Sequence, residues 1–462
     1  MPDPGALGHL LDARHYGVHG YPHETWARLR REAPVAWVEP DEGIPYWAIT
    51  RRADIVRISR EPSLFTNRPR FKASVGGEES AKSPTLSSMD PPEHQTYRQL
   101  VSRRFTPRAL ARLRDPIEAV AAELMEGLGE PGAEVELDFV DRVAAPMPIL
   151  IIAWLMGLPR EDWRLVYGMT HAMTGFADPE YQQPGETPAD TIARGRREIY
   201  AYFAELAAAR RARPGDDLVS LLARAEIDGR PIGQEELLAY YLILIVAGNE
   251  TTRNAISGGV HALANDPASW RRLRRDPALV PTAVEEILRH GSPVIHHART
   301  AARDVELRGV KISKGETLAL FYPSANRDET VFDAPEAFRI DRRPNPHLAF
   351  GVGEHVCLGA HLARIEIELV LRHLARRRDI RGPGSRRTPR PRRTSAAIKN
   401  LRVRMRMARL ESASKPAQRM KRREGVHRPL LRVDRSAAPI LAASGLPHRR
   451  GHPPARSAKS AS

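Results

Sequence analysis

The spacing of apolar residues along the chain predicts a mainly helical protein. Apolar side chains recur every three or four residues over residues 107–128 and 189–212, as they do on one face of an α-helix. Two further helices are predicted, one over residues 234–265 and one over residues 358–376. These segments together indicate one large α-helical domain.

Shorter stretches in which apolar and polar residues alternate predict a minor β component. They are PVAWVEP (residues 34–40), YWAITR (46–51) and VELRGVKISKGETLALF (305–321). No internal repeat at the spacing of a solenoid is visible. The expected fold class is therefore mainly α with minor β, in a single large domain.

Composition indicates a soluble globular protein, with 42% hydrophobic and 28% charged residues. The most apolar stretches, PILIIAWLMGLP and LLAYYLILIVAG, are about a dozen residues each, short of the roughly 20 that span a bilayer. The N-terminus has no signal-peptide pattern, and the single cysteine excludes an intrachain disulfide. We expect a cytoplasmic protein without a membrane anchor.

The net charge of +16 belongs to the C-terminal tail. Residues 381–462 hold 23 Lys and Arg against 3 Asp and Glu, whereas residues 1–380 hold 49 against 53. The tail is rich in Arg, Pro, Ser and Ala, and such a composition buries too little apolar surface to fold alone. A passive disordered extension is favoured over an arm that binds nucleic acid or acidic membranes. Translation of a shifted reading frame would give a similar composition.

The single cysteine, Cys357, lies in the stretch FGVGEHVCLG (residues 350–359). Gly351, Gly353 and Gly359 permit backbone bends and the close approach of a flat, bulky group. Cys357 directly precedes a predicted helix, whose N-terminus favours a thiolate. A buried thiolate needs a cation, and iron is one candidate.

Two other interpretations of this stretch are weaker. Dinucleotide binding through G-x-G-x-x-G fails because Val356 stands at the third glycine. A zinc site formed by His355, Cys357 and His361 has a single cysteine and lacks a second ligand pair.

The stretch resembles the heme-binding loop of the cytochrome P450 family, F-G-x-G-x-H-x-C-x-G, at every fixed position. The resemblance implies the P450 fold, an α-helical prism with small sheets, and heme b (iron protoporphyrin IX) as cofactor. It makes Cys357 the thiolate ligand of the iron, which favours O–O cleavage. The other implied cofactor-binding residues of the loop are Phe350, Gly351, Gly353, His355 and Gly359.

A second motif, AGNETT (residues 247–252), lies inside the predicted helix 234–265. Glycine and β-branched threonines are poor helix formers, and a carboxylate in an apolar stretch is costly. The motif resembles the oxygen-activating pattern of the family, [AG]-G-x-[DE]-T-[TS]. The resemblance makes Thr251 and Glu250 catalytic, with Glu250 relaying protons, and expects Gly248 to loosen the helix beside the heme.

A helix start is predicted at MDPPEHQTYRQLV, with Asp90 as N-cap, Pro91 at the first helical position and Glu93 at the third. His94 and Arg98 then lie one turn apart on the same helix face.

The family resemblance gives this pair a role in binding a heme propionate. In the same way, Arg299 in HHART and His355 match further propionate partners. Donors and cations around two carboxylates form a sensible charge pairing.

Glu286 and Arg289 form an E-x-x-R pair, for which we expect a structural role. In the family this pair is buried beneath the cysteine loop and is joined by the arginine of a P-E-R-F segment. Here the segment is PEAF, with Ala337 in place of the arginine, which leaves Arg339 and Arg342 as candidates for the third member.

The resemblance covers residues 10–407 and implies two regions, a heme-thiolate monooxygenase domain (1–407) and the tail (408–462). The implied reaction inserts one oxygen atom of O2 into an apolar small molecule, such as a lipid, steroid or secondary metabolite. Electrons would come from NAD(P)H through an external ferredoxin and ferredoxin reductase, or a flavodoxin. The alternatives are a heme oxidase that does not hydroxylate and a heme-binding sensor or carrier.

The resemblance also indicates where the substrate binds, and the arginines near the cysteine loop indicate where the electron carrier binds. The expected pocket residues, all apolar, are Ile243, Val246, Ala247, Val294 and Ile295. The size of the pocket depends on the loop 68–88 and on the helices around 165–205. The expected basic face for an acidic ferredoxin consists of Arg103, Arg104, Arg364 and Arg372, and binding of nucleic acid is not expected.

Overall fold

The computed structural model describes residues 5–41, 43–73, 85–130, 132–176, 178–381 and 398–407. The predicted tail, residues 408–462, lies outside the described residues. So do residues 74–84 of the loop at 68–88.

Fifteen α-helices lie in the described part of the chain. They are α1 (Ala13–His19), α2 (His23–Glu32), α3 (Arg52–Arg60), α4 (Glu93–Ser102), α5 (Pro107–Ala111), α6 (Arg114–Glu126), α7 (Pro146–Met156), α8 (Trp163–Thr174), α9 (Pro188–Ala212), α10 (Leu218–Ala223), α11 (Gln234–Asn265), α12 (Pro267–Arg275), α13 (Val280–Gly291), α14 (Tyr322–Ala325) and α15 (Ala360–Arg377).

Twelve strands are found over the same residues. They are β1 (Val35–Val38), β2 (Tyr46–Ile49), β3 (Phe65–Thr66), β4 (Glu134–Asp138), β5 (Glu226–Ile227), β6 (Arg230–Pro231), β7 (His296–Ala301), β8 (Val305–Leu307), β9 (Val310–Ile312), β10 (Thr317–Phe321), β11 (Arg378–Arg381) and β12 (Arg402–Met407).

The largest sheet has five strands in the order β1-β2-β10-β7-β3. Strand β10 runs parallel to β2, with Ala319 opposite Ala48, and antiparallel to β7, with Ala319 opposite Ala298. A three-stranded antiparallel sheet, β11-β12-β4, includes the last described strand. The remaining strands form two short hairpins.

Helix α11 is the central helix of the fold, because it contacts α7, α9, α13 and α15. Its residues Leu237, Tyr241 and Ile245 are buried in the largest hydrophobic cluster. Helix α7 is apolar on nearly every side, as a helix enclosed by others must be. The two helices predicted to carry the chemistry, α11 and α15, therefore meet inside a packed core.

The mainly α fold with minor β predicted from the sequence is confirmed. Helix α11 has the predicted bounds, and α9 begins one residue early. The helix predicted over 107–128 is wrong in one respect, because it is two helices, α5 and α6. Pro116 has no N–H for the carbonyl of Arg112, so a continuous helix would lose that bond, whereas in the first turn of α6 the loss costs nothing.

Among the described residues, no helix is long and apolar enough to cross a membrane.

Candidate active site

The loop before α15 is shaped by two glycines in the left-handed region, Gly351 (φ 68°) and Gly353 (φ 79°). A Cβ at Gly353 would also overlap the carbonyl oxygen of Ser59. Both positions therefore require glycine, for backbone conformation and, at Gly353, for close packing. A Cβ at Gly359, in contrast, would meet only the sulfur of Cys357 at 4.0 Å.

The backbone of this loop closes on itself around Cys357. The Cys357 N–H donates to the carbonyl of Phe350 (2.9 Å), and the Ala360 N–H donates to the carbonyl of Cys357 (3.3 Å). The thiol is accessible, yet burial raises the pKa of Cys357, against the lowering effects of the Gly359 N–H, Arg98 and Arg364. The thiol can be both accessible and desolvated if its sulfur lies inside the protein and faces an interior space. The protein alone favours the thiol, so a thiolate here needs a metal cation.

The alternative zinc site does not form. No group of three His, Cys, Asp or Glu side chains in the described ranges converges on a metal position. His361, its third proposed ligand, is exposed on α15. Within these ranges, Cys357 therefore lacks the further protein ligands that a zinc site would need.

His94 and His355 stack beside this loop, with ring centroids 3.9 Å apart and planes 28° apart. The two rings differ in their hydrogen bonds. His355 Nε2 lies 2.6 Å from the Asn67 side-chain amide, and the ring also bonds to the Met89 backbone. His94 is 1% exposed, and neither of its nitrogens finds a partner among the described residues. Burial, followed by the charge of Arg98, lowers the pKa of His94 to about 4. His94 is therefore a neutral donor without an acceptor.

Two guanidinium groups lie in the same region, and neither forms an ion pair with a carboxylate of the described residues. Arg98 donates to the carbonyl of Val356 (2.7 Å), and Arg299 donates to the carbonyl of Ala298 (2.8 Å). Burial lowers the pKa of both, while the charge of Cys357 opposes this at Arg98. Two cations and an orphaned imidazole are a donor set that suits a dianionic group, so these residues fit the two propionates of heme. The predicted role of His355 fits less well, because its ring is already bonded to protein.

The helix start predicted before His94 is wrong. Helix α4 begins at Glu93, and its N-cap, Pro92, offers no side-chain hydrogen bond. The carboxylate of Asp90 instead accepts from the backbone N–H groups of Asn67 (2.7 Å) and Arg68 (3.1 Å). Asp90 thus ties the cofactor-side helix to a distant segment and does not cap the helix.

One face of α11 is accessible in the middle of an otherwise buried helix. Ile243 and Thr251 are partly exposed and Ala247, between them at four-residue spacing, is exposed. The Thr251 hydroxyl donates to the carbonyl of Ala247 (3.0 Å). This face lines an interior space, with Thr251 as its hydroxyl group.

The loosening of α11 expected at Gly248 is not seen, because the helix is continuous over its 32 residues. A Cβ at Gly248 would contact Ile152 Cγ1 at 3.4 Å, so the glycine permits close packing of α7 on α11.

Glu250 is buried and bonded away from Thr251. Its carboxylate accepts from Arg253 (3.1 Å) and Asn254 (3.3 Å) on α11 and from the Thr174 hydroxyl on α8 (3.2 Å). Arg253 in turn lies 2.9 Å from His171 Nε2. The two predicted catalytic residues are adjacent in the sequence, but the described hydrogen bonds of Glu250 go to Arg253, Asn254 and Thr174, whereas that of Thr251 goes to Ala247.

Glu286 and Arg289 are both 0% exposed and form a bidentate ion pair, with N–O distances of 2.7 and 2.8 Å. Arg342 Nε joins it at 3.1 Å from Glu286 and is 4% exposed. Arg339 contributes only its backbone N–H (2.8 Å), while its side chain is half exposed. Of the two candidates for the third member, the structure brings Arg342 into the pair.

This ion-pair cluster supports the loop before Cys357. The side chain of Asn345 donates to Glu286 (3.1 Å), and Arg289 donates to the carbonyl of Asn326 (2.9 Å). The side-chain oxygen of Asn326 accepts from the Leu348 N–H (2.6 Å), two residues before Phe350. The structural role expected for the pair is thus supported by its contacts.

The predicted basic face is largely neutralised by ion pairs. Arg364 binds Glu285 through two nitrogens (2.7 and 2.8 Å) and lies over the ring of Phe350 at 4.5 Å. Arg372 pairs with Glu368 and Arg104 with Asp216. Of the four arginines, Arg103 is exposed and has no ion pair with a described residue.

The apolar pocket residues are not all placed as predicted. Ile243, Val246 and Val294 are partly exposed and Ala247 is exposed. Ile295 is 0% exposed and packs in the cluster beneath the five-stranded sheet, so it does not line the interior space.

Sequence reasoning missed Asn67 and Met89, which bind His355, and Arg253, which pairs with Glu250. Arg253 stands three residues after Glu250 on one helix, a spacing that could have indicated the pair. Asn67 lies 288 residues from His355, and no local pattern marks it.

Comparisons with known proteins match most of the chain. The family model described as Cytochrome P450 matches residues 138–405. A linalool 8-monooxygenase from Pseudomonas putida is 38% identical over 369 residues, which cover 77% of this chain and 88% of that enzyme. A methyl-branched lipid omega-hydroxylase from Mycobacterium tuberculosis is 39% identical over 361 residues, covering 76% and 83%. A crystal structure from Novosphingobium aromaticivorans superposes with a TM-score of 0.77 at 35% identity, covering 88% and 99% of the two chains.

Proposed function

The chain belongs to the cytochrome P450 family and is a heme-containing monooxygenase, and from this we propose which residues hold the cofactor and what the enzyme oxidises. The cofactor is heme b, with Cys357 as the thiolate ligand of its iron. His94, Arg98 and Arg299 bind its propionates. The observation that carries this assignment is the buried His94 ring, which has no hydrogen-bond partner among the described residues, near Arg98 and Arg299, neither of which forms an ion pair with a described carboxylate.

His355 has a positioning role in this proposal. Its hydrogen bonds to Asn67 and Met89 fix the ring against which His94 stacks. Gly351 and Gly353 adopt the backbone turn that brings Cys357 to the same interior space. Phe350 lies at the start of this turn, with its ring beneath the guanidinium of Arg364. Gly359 leaves room above the sulfur.

Heme, when bound, supplies the reductive activation of O2, in which one oxygen atom enters the substrate and the other leaves as water. Thr251 holds a hydroxyl proton on the accessible face of α11. Glu250, whose carboxylate is paired with Arg253 and accepts from the Thr174 hydroxyl, is the group behind that face that relays protons. Transfer from Glu250 to Thr251 requires the carboxylate to leave its present partners or a water between the two groups.

The substrate is an apolar small molecule of the lipid or terpenoid class. The accessible residues Ile243, Val246, Ala247 and Val294 offer it only apolar contacts. The relatives named for linalool and for methyl-branched lipids support this class, because each covers more than three quarters of the chain. Hydroxylation as the reaction is supported by the name of the second relative, an omega-hydroxylase.

Electrons reach the heme from an external ferredoxin with its reductase, or from a flavodoxin, in the cytoplasm. The single cysteine is used by the heme, and an iron–sulfur cluster needs several. With three of the four predicted arginines paired, Arg103 is the cation of that face that remains for an acidic carrier.

The test is turnover of the purified full chain with NAD(P)H, a ferredoxin and its reductase, on linalool and on isostearic acid under isotopically labelled O2. The proposal expects a product of at least one substrate to gain a single labelled oxygen atom. Oxidised products that carry no label, or turnover that does not require O2, would contradict it.

A further inference from the structure

Lys72 lies in a segment that is fixed against strand β7. The Ala298 N–H donates to the carbonyl of Phe71 (2.8 Å), and the Ala73 N–H donates to His296 Nε2 (3.3 Å). Both neighbours of Lys72 are therefore bonded to β7, which follows Val294 and contains Arg299. This places Lys72 between the expected substrate contact and the expected propionate contact.

The ammonium group of Lys72 has no acidic partner in the described ranges of the chain. Its Nζ lies 5.7 Å from the centroid of the Phe71 ring. The side chain is partly exposed, yet burial lowers the pKa of Lys72 to about 8. A side chain that is partly exposed and yet desolvated indicates that Lys72, like Cys357, faces the interior space.

The groups around Lys72 are basic or neutral. The His297 ring lies 6.3 Å from Phe71, and its Nδ1 is 3.4 Å from the Tyr322 hydroxyl. Burial and the charge of Lys72 lower the pKa of both His296 and His297, so both are neutral. Among the described residues, nothing on this side of the cavity balances the charge of Lys72.

The two heme propionates do not require this cation. His94, Arg98 and Arg299 already supply two positive charges and a neutral donor. Holding a desolvated cation without a partner is costly, and a bound carboxylate recovers that cost. The positive charge of Lys72 is thus not needed to bind the heme propionates, and it lies beside the expected substrate position.

We propose that Lys72 binds the carboxylate of the substrate, so that the enzyme selects amphipathic acids of the lipid class over their neutral esters. This inference rests on the proposed function, because it deepens the substrate class of the same site. The carboxylate lies at Lys72 beside β7, and the apolar chain extends along Ile243, Ala247 and Val294. The other source of a carboxylate at this position is a heme propionate.

The test is the titration of the heme-loaded enzyme with isostearic acid and with methyl isostearate, followed by the shift of the Soret band. The acid is expected to bind the unmodified enzyme about ten- to a hundredfold more tightly than the ester, as for a hydrogen bond to a charged group. Lys72→Met and Lys72→Gln should abolish this preference, and Lys72→Arg should keep most of it. Lys311→Met, at an exposed lysine on β9, is the matched control and should leave it unchanged.

Each other outcome overturns the inference. Equal affinities for acid and ester in the unmodified enzyme would exclude a carboxylate site. A preference for the acid that survives in Lys72→Met would mean that another residue binds the carboxylate. Faster loss of heme from Lys72→Met, with no acid preference in the unmodified enzyme, would assign Lys72 to a propionate. Failure of the proposed function is distinct from all of these, because it would appear as the absence of a heme-thiolate spectrum before any ligand is added.

Discussion

The imidazole rings of His94 and His355 stack at 3.9 Å, but of the two only His355 is hydrogen-bonded to a residue that the structure describes. His355 is therefore held in place by its hydrogen bonds, and the His94 ring that stacks on it keeps its nitrogens available for a ligand. The family resemblance alone gives both residues the same role. The structure separates them, and the separation can be tested.

His94→Phe keeps an aromatic ring against His355 and removes both nitrogens. We expect heme to dissociate about tenfold faster, because a buried propionate loses a hydrogen bond. The measurement is heme transfer to excess apomyoglobin. His361→Phe, at an exposed histidine of α15, is the control and should behave as the unmodified protein does. Equal rates for both variants would remove His94 from the cofactor site.

Thr251→Ala should uncouple electron use from product formation. Without the hydroxyl that now donates to Ala247, protons reach oxygen without control and peroxide is released. In the reconstituted system, NAD(P)H consumption should continue while product falls and peroxide rises. Thr251→Ser retains the hydroxyl and should remain coupled. Full coupling in the alanine variant would favour a hydroxyl supplied by the substrate.

Arg342→Ala should destabilise the protein by about 3–5 kcal/mol, because it leaves the buried Glu286 without part of its positive charge. Arg339→Ala removes an exposed side chain, keeps the backbone bond to Glu286, and should cost less than about 1 kcal/mol. Guanidinium unfolding of the two variants compares them directly. The reverse order would make Arg339 the third member of the cluster.

Glu366 on α15 is 2% exposed, and its Oε2 finds no partner in the described part of the chain. Burial raises the pKa of Glu366 well above its ordinary value. The folded state thus holds a proton that the unfolded state releases above pH 4.5. The stability that this group contributes is present below pH 4.5 and is lost at about 1.4 kcal/mol per pH unit up to its folded pKa.

Glu366→Gln should therefore stabilise the protein at pH 8 and change little at pH 4, as measured by unfolding in guanidinium at both values. Glu368→Gln is the control with the opposite sign. Burial raises the pKa of Glu368, but hydrogen bonds from Arg114 and Arg372 outweigh it and lower that pKa. Its stability is present above pH 4.5 and lost at lower pH, so this variant should be less stable at pH 8. A destabilised Glu366→Gln variant at pH 8 would mean that the carboxylate is ionised and paired.

The sequence predicted the parts of the fold that depend on local spacing. Helix α11 follows from its apolar periodicity, and the helix after Cys357 begins two residues later than predicted. Strand β7 was not predicted, because HHARTA carries histidines and an arginine that a strand normally leaves exposed. Tertiary packing overrides that preference, since His296 and Arg299 are both buried in β7, which pairs with β10.

In the candidate site, the sequence predicted which residues take part but not their partners. The motif spacing pointed to Cys357, His94 and Arg98. It assigned Asp90 to a helix cap, although the partners of Asp90 are the N–H groups of Asn67 and Arg68, more than 20 residues earlier. Contacts between segments distant in sequence leave no local pattern. For the same reason, no local pattern marks Lys72, whose proposed role depends on its position beside β7.

The absorption spectrum of the reduced, CO-bound protein tests the central claim most directly, namely that Cys357 binds heme iron as a thiolate. The account predicts the red-shifted Soret band that is typical of a thiolate ligand in the unmodified protein, and its loss in Cys357→His. Retention of that band in Cys357→His, or a purified protein that contains zinc and no heme, would contradict it.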